Sequence, residues 1–142
     1  MILVETSVLI SFLKGQADEK TKLFEAVMSL DIPFGISAYT YQEVLQGARD
    51  EKEFRQLKDY LSSQIVYCLP EGTATYEKAA RLYFDLRRKG TTPRSAIDIL
   101  IALTAIENQL FLLHNDRDFD VMAEEVDELR ILNNIYTDFA QR

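Results

Sequence analysis

Short apolar runs alternate with helical stretches along the whole chain, and this alternation confines it to a layered α/β fold. Ile2-Leu3-Val4, Pro33 to Ser37, Ile65 to Leu69, Phe111-Leu112-Leu113 and Leu129 to Leu132 are the runs, each bounded by turn or cap residues. Runs this short read as strands, and their lack of polar alternation suits strands covered on both faces of a parallel sheet. Between them the pattern predicts helices from Thr6 to Leu13, Ala17 to Leu30, Thr40 to Gly47 and Glu51 to Ser62. Further helices are expected from Thr73 to Lys89, closed by Gly90, from Ser95 to Asn108 and from Asp118 to Glu125. A strand, a crossover helix and a parallel strand connect right-handedly. The expectation is a three-layer α/β fold, with a mostly parallel central sheet flanked by helices. No repeat or Pro/Gly/Ser-rich linker divides residues 1–142, which read as a single domain.

Ligands of such sheets bind outside the carboxyl ends of the strands, so acids at those ends carry the chemical interest. Glu5 ends the first strand and Asp116 closely follows the fourth. Glu43 and Asp98 each sit in the first turn of a helix. The segment Ser95-Ala-Ile-Asp98-Ile-Leu-Ile-Ala is apolar nearly all round, and Asp98 is its charged residue. A carboxylate there is costly to bury without hydrogen bonds, a counter-charge or a metal. Arg94 is one candidate counter-charge.

Each acid also has an ordinary explanation. Ser95-x-x-Asp98 and Thr40-x-x-Glu43 both spell a capping box, Asp116 and Asp118 suit a turn and a helix N-cap, Glu5 suits a solvated strand end, and Thr6 or Ser7 a helix cap. Taken singly these suffice, but they leave the recurrence of single acids along one edge unexplained. Hard cations such as Mg²⁺ or Mn²⁺ prefer oxygen ligands converging from different elements. No Cys/His constellation offers a zinc site, and His114, the single histidine, has no nucleophile elbow beside it.

The net charge of -7 argues against nucleic-acid binding through bulk positive potential. An acidic cluster loaded with divalent cations escapes that restriction, because the cations invert the local field. One cysteine, Cys68, together with the absence of a leader or a bilayer-length apolar run, suggests a reduced cytoplasmic protein with no membrane association.

Five stretches, M-I-L-V-E-T-S-V-L-I, Y-Q-E-V-L-Q-G-A, R-S-A-I-D-I-L-I-A, L-L-H-N-D-R-D-F and R-I-L, together resemble a PIN domain, specifically a VapC-type toxin. The resemblance implies that Glu5, Glu43, Asp98 and Asp116 are the catalytic acids. Metal ligation would fall to Glu5, Asp98, Asp116 and Asp118. Ser7 matches a small hydroxyl residue near the site, and Arg94 and Arg117 are the candidate contacts to substrate phosphate. The resemblance implies a Mg²⁺- or Mn²⁺-dependent endoribonuclease that cuts structured RNA such as transfer or ribosomal RNA. It also implies a homodimer silenced by a cognate antitoxin. The family's first acid is normally Asp, and Glu5 pushes the carboxylate out by one methylene, so attenuated activity is expected. Three consecutive cations, Arg87-Arg88-Lys89, suit either the RNA backbone or the negative end of their own helix.

Two other classes fit parts of the pattern. One is a catalytically inactive PIN-like domain acting through its antitoxin, which retained antitoxin affinity without cleavage would select. The other is a phosphoryl-accepting domain, which should carry a Lys on a late strand, and none of the late strands here has one.

Overall fold

The computed structural model describes residues 1–138. Its elements run β1 (Ile2–Val4), α1 (Thr6–Leu13), α2 (Glu19–Ser29), β2 (Phe34–Ser37), α3 (Ala38–Gln46), α4 (Glu51–Ser62) and β3 (Val66–Tyr67). They continue with α5 (Thr73–Arg88), α6 (Ala96–Glu107), β4 (Phe111–Leu113), α7 (Arg117–Glu125), β5 (Arg130–Ile131) and α8 (Ile135–Asp138). The sheet order is β3-β2-β1-β4-β5, and every neighbouring pair is parallel rather than most of them.

The strands are apolar throughout because both faces are covered. Ile2 and Val4 of β1 pack with Val8, Phe24, Val27 and Leu61, while Leu3 between them joins the opposite core with Ile101, Leu112, Phe119 and Met122. Alternate side chains of a strand point to opposite faces, so α1 to α4 cover one face and α5 to α7 the other. The expected three layers are present.

Two strands are shorter than the sequence suggests. The β3 ladder is confined to Val66–Tyr67 and β5 to Arg130–Ile131. Both are edge strands, with a hydrogen-bonding neighbour on one side only. Gly35 allows β2 and β3 to approach closely, since a Cβ there would lie 2.7 Å from the Ile65 carbonyl oxygen. Residues Ile135–Asp138 form a last short helix that the apolar pattern does not predict. The long helix α5 ends as expected at Gly90, whose φ of 90° lets Thr91 N–H reach back to Leu86 C=O at 2.9 Å.

The connectivity fixes where a site can form. From β1 the chain moves outward through β2 to β3, then returns to place β4 on the other side of β1 and moves outward again to β5. The carboxyl ends of β1 and β4 therefore flank the point where strand order reverses, the position at which open α/β sheets form their ligand crevice.

Candidate metal centre

Glu5 leaves β1 at that crevice. It is 5% exposed, so it is not a solvated strand end. It is also itself the N-cap of α1, a role the sequence suggested for Thr6 or Ser7. Glu5 Oε2 accepts from Ser7 N–H at 2.9 Å and from the Ser7 hydroxyl. Burial pushes its carboxyl up to about 7 against the opposing effect of these bonds, and the nearby Asp98 and Asp116 carboxylates add to the rise.

Ser7 does more than donate to that cap. Its hydroxyl oxygen also accepts from Asn115 N–H at 3.0 Å, which ties the loop after β4 to the end of β1. That loop carries Asp116, the N-cap of α7, whose Oδ1 accepts from Asp118 N–H at 3.0 Å. Asp116 N–H in turn donates to His114 Nδ1 at 3.0 Å, so His114 Nε2 carries the proton and donates to Asp120 Oδ1 at 3.0 Å. The imidazole is 2% exposed, and burial lowers its proton affinity. His114 is thus a neutral brace for the Asp116 backbone rather than a general base.

Asp98 arrives from α6, whose Ile99, Ile101, Ala102, Leu103, Thr104 and Ala105 are all buried. The capping box expected here does not form. Ser95 Oγ accepts from Ile97 N–H at 3.1 Å, and the Asp98 carboxylate stays outside the cap. Burial raises its carboxyl to about 6, with Asp116, Glu43 and Asp118 adding repulsion.

The second expected capping box is also absent. Ser37, not Thr40, caps α3, through Thr40 N–H at 3.0 Å. Thr40 and Glu43 belong instead to a hydroxyl chain under the site. Ser37 donates to Thr40 at 3.3 Å and the Thr40 and Thr6 hydroxyls are 3.0 Å apart. Thr6 donates to Glu43 Oε1 at 2.7 Å. With the Thr6 proton committed to Glu43, Thr40 is the donor to Thr6. Sequence patterning had treated Thr6 and Thr40 as caps and passed over Ser37. The one available signal was a cluster of hydroxyl residues at the end of β2 and the starts of α1 and α3.

The structure brings Asp98, Asp116 and Asp118 together, each offering a carboxylate oxygen within 4.8 Å of the others. Glu5 and Glu43 lie beside this trio, near enough to repel Asp98, but outside it. Arg94 answers the acids directly, with Nε 2.8 Å from Asp118 Oδ2 and Nη2 3.5 Å from Asp116 Oδ1. Arg117 begins α7 with an exposed side chain.

The donor set fits a hard divalent cation. It consists of carboxylate oxygens with no sulfur or imidazole. Oxygens around one octahedral Mg²⁺ lie about 3 to 4 Å apart, and the 4.8 Å that bounds the trio is a small side-chain movement from that range. The raised Glu5 and Asp98 carboxyls reflect burial first and repulsion from neighbouring carboxylates second.

Comparison with known proteins agrees with this geometry. The PIN domain family pattern matches residues 2–125. The chain is 29% identical over 128 residues to VapC ribonuclease Mb1587 of Mycobacterium bovis, covering 87% of this chain and 92% of that protein. Ribonuclease VapC11 of Mycobacterium tuberculosis matches equally. Among solved structures, VapBC2 from Rickettsia felis, bound to a DNA fragment from its promoter, superposes with a TM-score of 0.69 at 19% identity. That match covers 94% of this chain and 99% of the other. FitAcB from Neisseria gonorrhoeae gives 0.67 at 22% identity, covering 94% and 97%. With its all-parallel sheet, its acidic crevice at the strand-order reversal and this match along most of its length, the chain belongs to the PIN domain family.

Proposed function

We propose that the chain is a metal-dependent endoribonuclease, the toxin of a toxin–antitoxin pair. The observation that carries this is the convergence of Asp98, Asp116 and Asp118 within 4.8 Å at the crevice between β1 and β4. In this reading Asp98, Asp116, Asp118 and Glu5 hold Mg²⁺ or Mn²⁺, with Glu43 completing the catalytic acids. Bound there, the ion supplies a water of lowered pKa and neutralises charge on the scissile phosphate.

The remaining work falls to the chain's own groups. Ser7 keeps Asp116 against the end of β1, and Thr6 aims the Glu43 carboxylate. Arg94 would be free to meet the substrate phosphate were a cation to hold Asp116 and Asp118, and Arg117, exposed at the start of α7, would add a second positive contact. No histidine base is needed, and cleavage leaves a 5′-phosphate and a 3′-hydroxyl. Structured RNA, including transfer or ribosomal RNA, is the substrate.

The proteins similar to this chain include ribonucleases named VapC, and solved neighbours are complexes of toxin with antitoxin. They support a cognate antitoxin as partner. A cytoplasmic homodimer, with residues 1–142 acting as one domain, completes the proposal. Among the described residues no helix is long and apolar enough to cross a membrane.

The test is cleavage of total RNA with and without Mg²⁺ or Mn²⁺, run beside Asp98→Asn. Metal-dependent cleavage abolished by the substitution supports the proposal, and a 2′,3′-cyclic phosphate product would contradict it. One observation favours a second reading, a PIN-like domain that binds its antitoxin without cutting. The buried Glu5 carboxylate is turned back onto Ser7 rather than placed with the trio. Retained antitoxin binding with no cleavage in either metal would select it.

A further inference from the structure

Asp120 stands outside the acidic trio, yet it is tied to one of the trio's members through a single side chain. It sits in the first turn of α7 with its carboxylate 59% exposed, and its Oδ1 lies 3.0 Å from Nε2 of the buried His114. The dipole of α7 explains an acid in this turn. It does not explain why that acid reaches back to a buried ring that precedes the helix.

The other ring nitrogen answers a different group. His114 Nδ1 accepts from Asp116 N–H at 3.0 Å, and Phe119 packs against the ring with centroids 5.1 Å apart. A neutral imidazole has one donor nitrogen and one acceptor, whereas a carboxylate only accepts. The form protonated at Nε2 is therefore the one that satisfies both neighbours, and protonation at Nδ1 would set a hydrogen against Asp116 N–H. The backbone of the loop after β4 depends on such side-chain acceptors, since Asn115 N–H ends on Ser7 and Asp116 N–H on His114. Asp116 Oδ1 in turn accepts from Asp118 N–H, so two of the three acids share this support.

We propose that Asp120 is a positioning residue for the acidic centre, which fixes the tautomer of His114 and thereby holds Asp116 where its carboxylate can meet a divalent cation. Carboxylates orient metal-ligating imidazoles by the same logic, but here the imidazole holds the backbone of a candidate ligand. Without Asp120, water meets Nε2. Water donates as readily as it accepts, so the form protonated at Nδ1 becomes admissible and Asp116 N–H loses its acceptor in that fraction of molecules. Any acid near the trio also attracts a cation by charge alone. Asp120→Asn separates the two effects, because its amide oxygen still accepts from Nε2–H while the charge is gone.

The proposal rests on reading the trio as a metal centre, and the experiment distinguishes the two. His114 is the chain's one histidine, so a long-range proton–nitrogen correlation spectrum of untagged, metal-free protein above neutral pH reports its tautomer directly. Wild type and Asp120→Asn are expected to show the form protonated at Nε2, and Asp120→Ala to add the form protonated at Nδ1. Mn²⁺ binding by calorimetry should weaken about three- to ten-fold in Asp120→Ala, the equivalent of one hydrogen bond. In Asp120→Asn it should stay within about two-fold of wild type, because an exposed charge is largely screened. An unchanged tautomer in Asp120→Ala overturns the proposal. So does an equal loss of Mn²⁺ affinity in the two variants, which would reduce Asp120 to its charge. If wild type binds no Mn²⁺ but the tautomer shifts as expected, the metal reading fails and the hold on Asp116 stands. If Mn²⁺ binds equally to wild type and Asp120→Ala, the metal reading stands and the positioning role fails.

Discussion

Arg94 Nε stands 2.8 Å from Asp118 Oδ2, so among the described residues the cation in contact with the acidic trio comes from the loop before α6, 24 residues away in sequence. The arginine supplies the charge that a divalent ion would otherwise bring. Its proton affinity rises in response, chiefly through the bond to Asp118.

Metal affinity should therefore increase when Arg94 is removed. Arg94→Ala is expected to bind Mn²⁺ about two- to five-fold more tightly by calorimetry, the range an exposed ion pair is worth. Cleavage of RNA should fall at the same time, because the phosphate contact is lost. Weaker Mn²⁺ binding would show that Arg94 organises the acids rather than competing for them.

By the resemblance an aspartate would stand at position 5, and Glu5 carries one methylene more. A carboxylate misplaced by about 1 Å costs on the order of 100-fold in rate. Glu5→Asp should accordingly raise metal-dependent cleavage about 10- to 100-fold. Equal rates for the two proteins would remove attenuation as an explanation.

The buried Glu5 carboxyl also predicts a pH dependence of stability. Its folded value of about 7 lies above the ordinary 4.5, so the native state holds this proton more tightly than the unfolded chain does. The associated stabilisation is complete below pH 4.5 and is lost as pH rises to about 7. Glu5→Gln keeps an acceptor for Ser7 and removes the charge. Its Tm relative to wild type, measured by calorimetry without metal, should become more favourable between pH 5 and pH 8. The gain is on the order of 3 kcal/mol at most. A constant difference across that range would mean that Glu5 titrates normally.

The hydroxyl chain beneath the site makes a separate prediction. Thr6→Val deprives Glu43 Oε1 of its donor and leaves the buried Thr40 hydroxyl without an acceptor. Destabilisation of about 1 to 3 kcal/mol in urea unfolding is expected. Cleavage should drop by more than the change in folded population accounts for. Unchanged kcat in the folded protein would confine Thr6 to a purely structural role.

The layered architecture, the two central strands and the boundaries of α4 were legible in the sequence because apolar runs and helical periodicity are local. The acids themselves were legible as well. Glu5 and Asp116 mark strand ends, and Asp98 is conspicuous in an otherwise apolar helix. What local patterning misjudged were the caps. Ser95-x-x-Asp98 and Thr40-x-x-Glu43 satisfy a capping box on paper, yet neither forms, because long-range partners compete for the same side chains. Thr6 holds Glu43 from 37 residues away, and Asp98 is turned toward Asp116 and Asp118.

By itself the sequence determined which residues carry charge and which segments must be buried, since hydrophobicity and period belong to each segment alone. The tertiary structure alone decided which acids meet. Pairing β1 with β4 puts residues more than a hundred positions apart side by side, joined by the Ser7 to Asn115 hydrogen bond. That juxtaposition depends on strand order, which no local pattern encodes, and burial among neighbouring carboxylates then raises the proton affinity of Glu5 and Asp98.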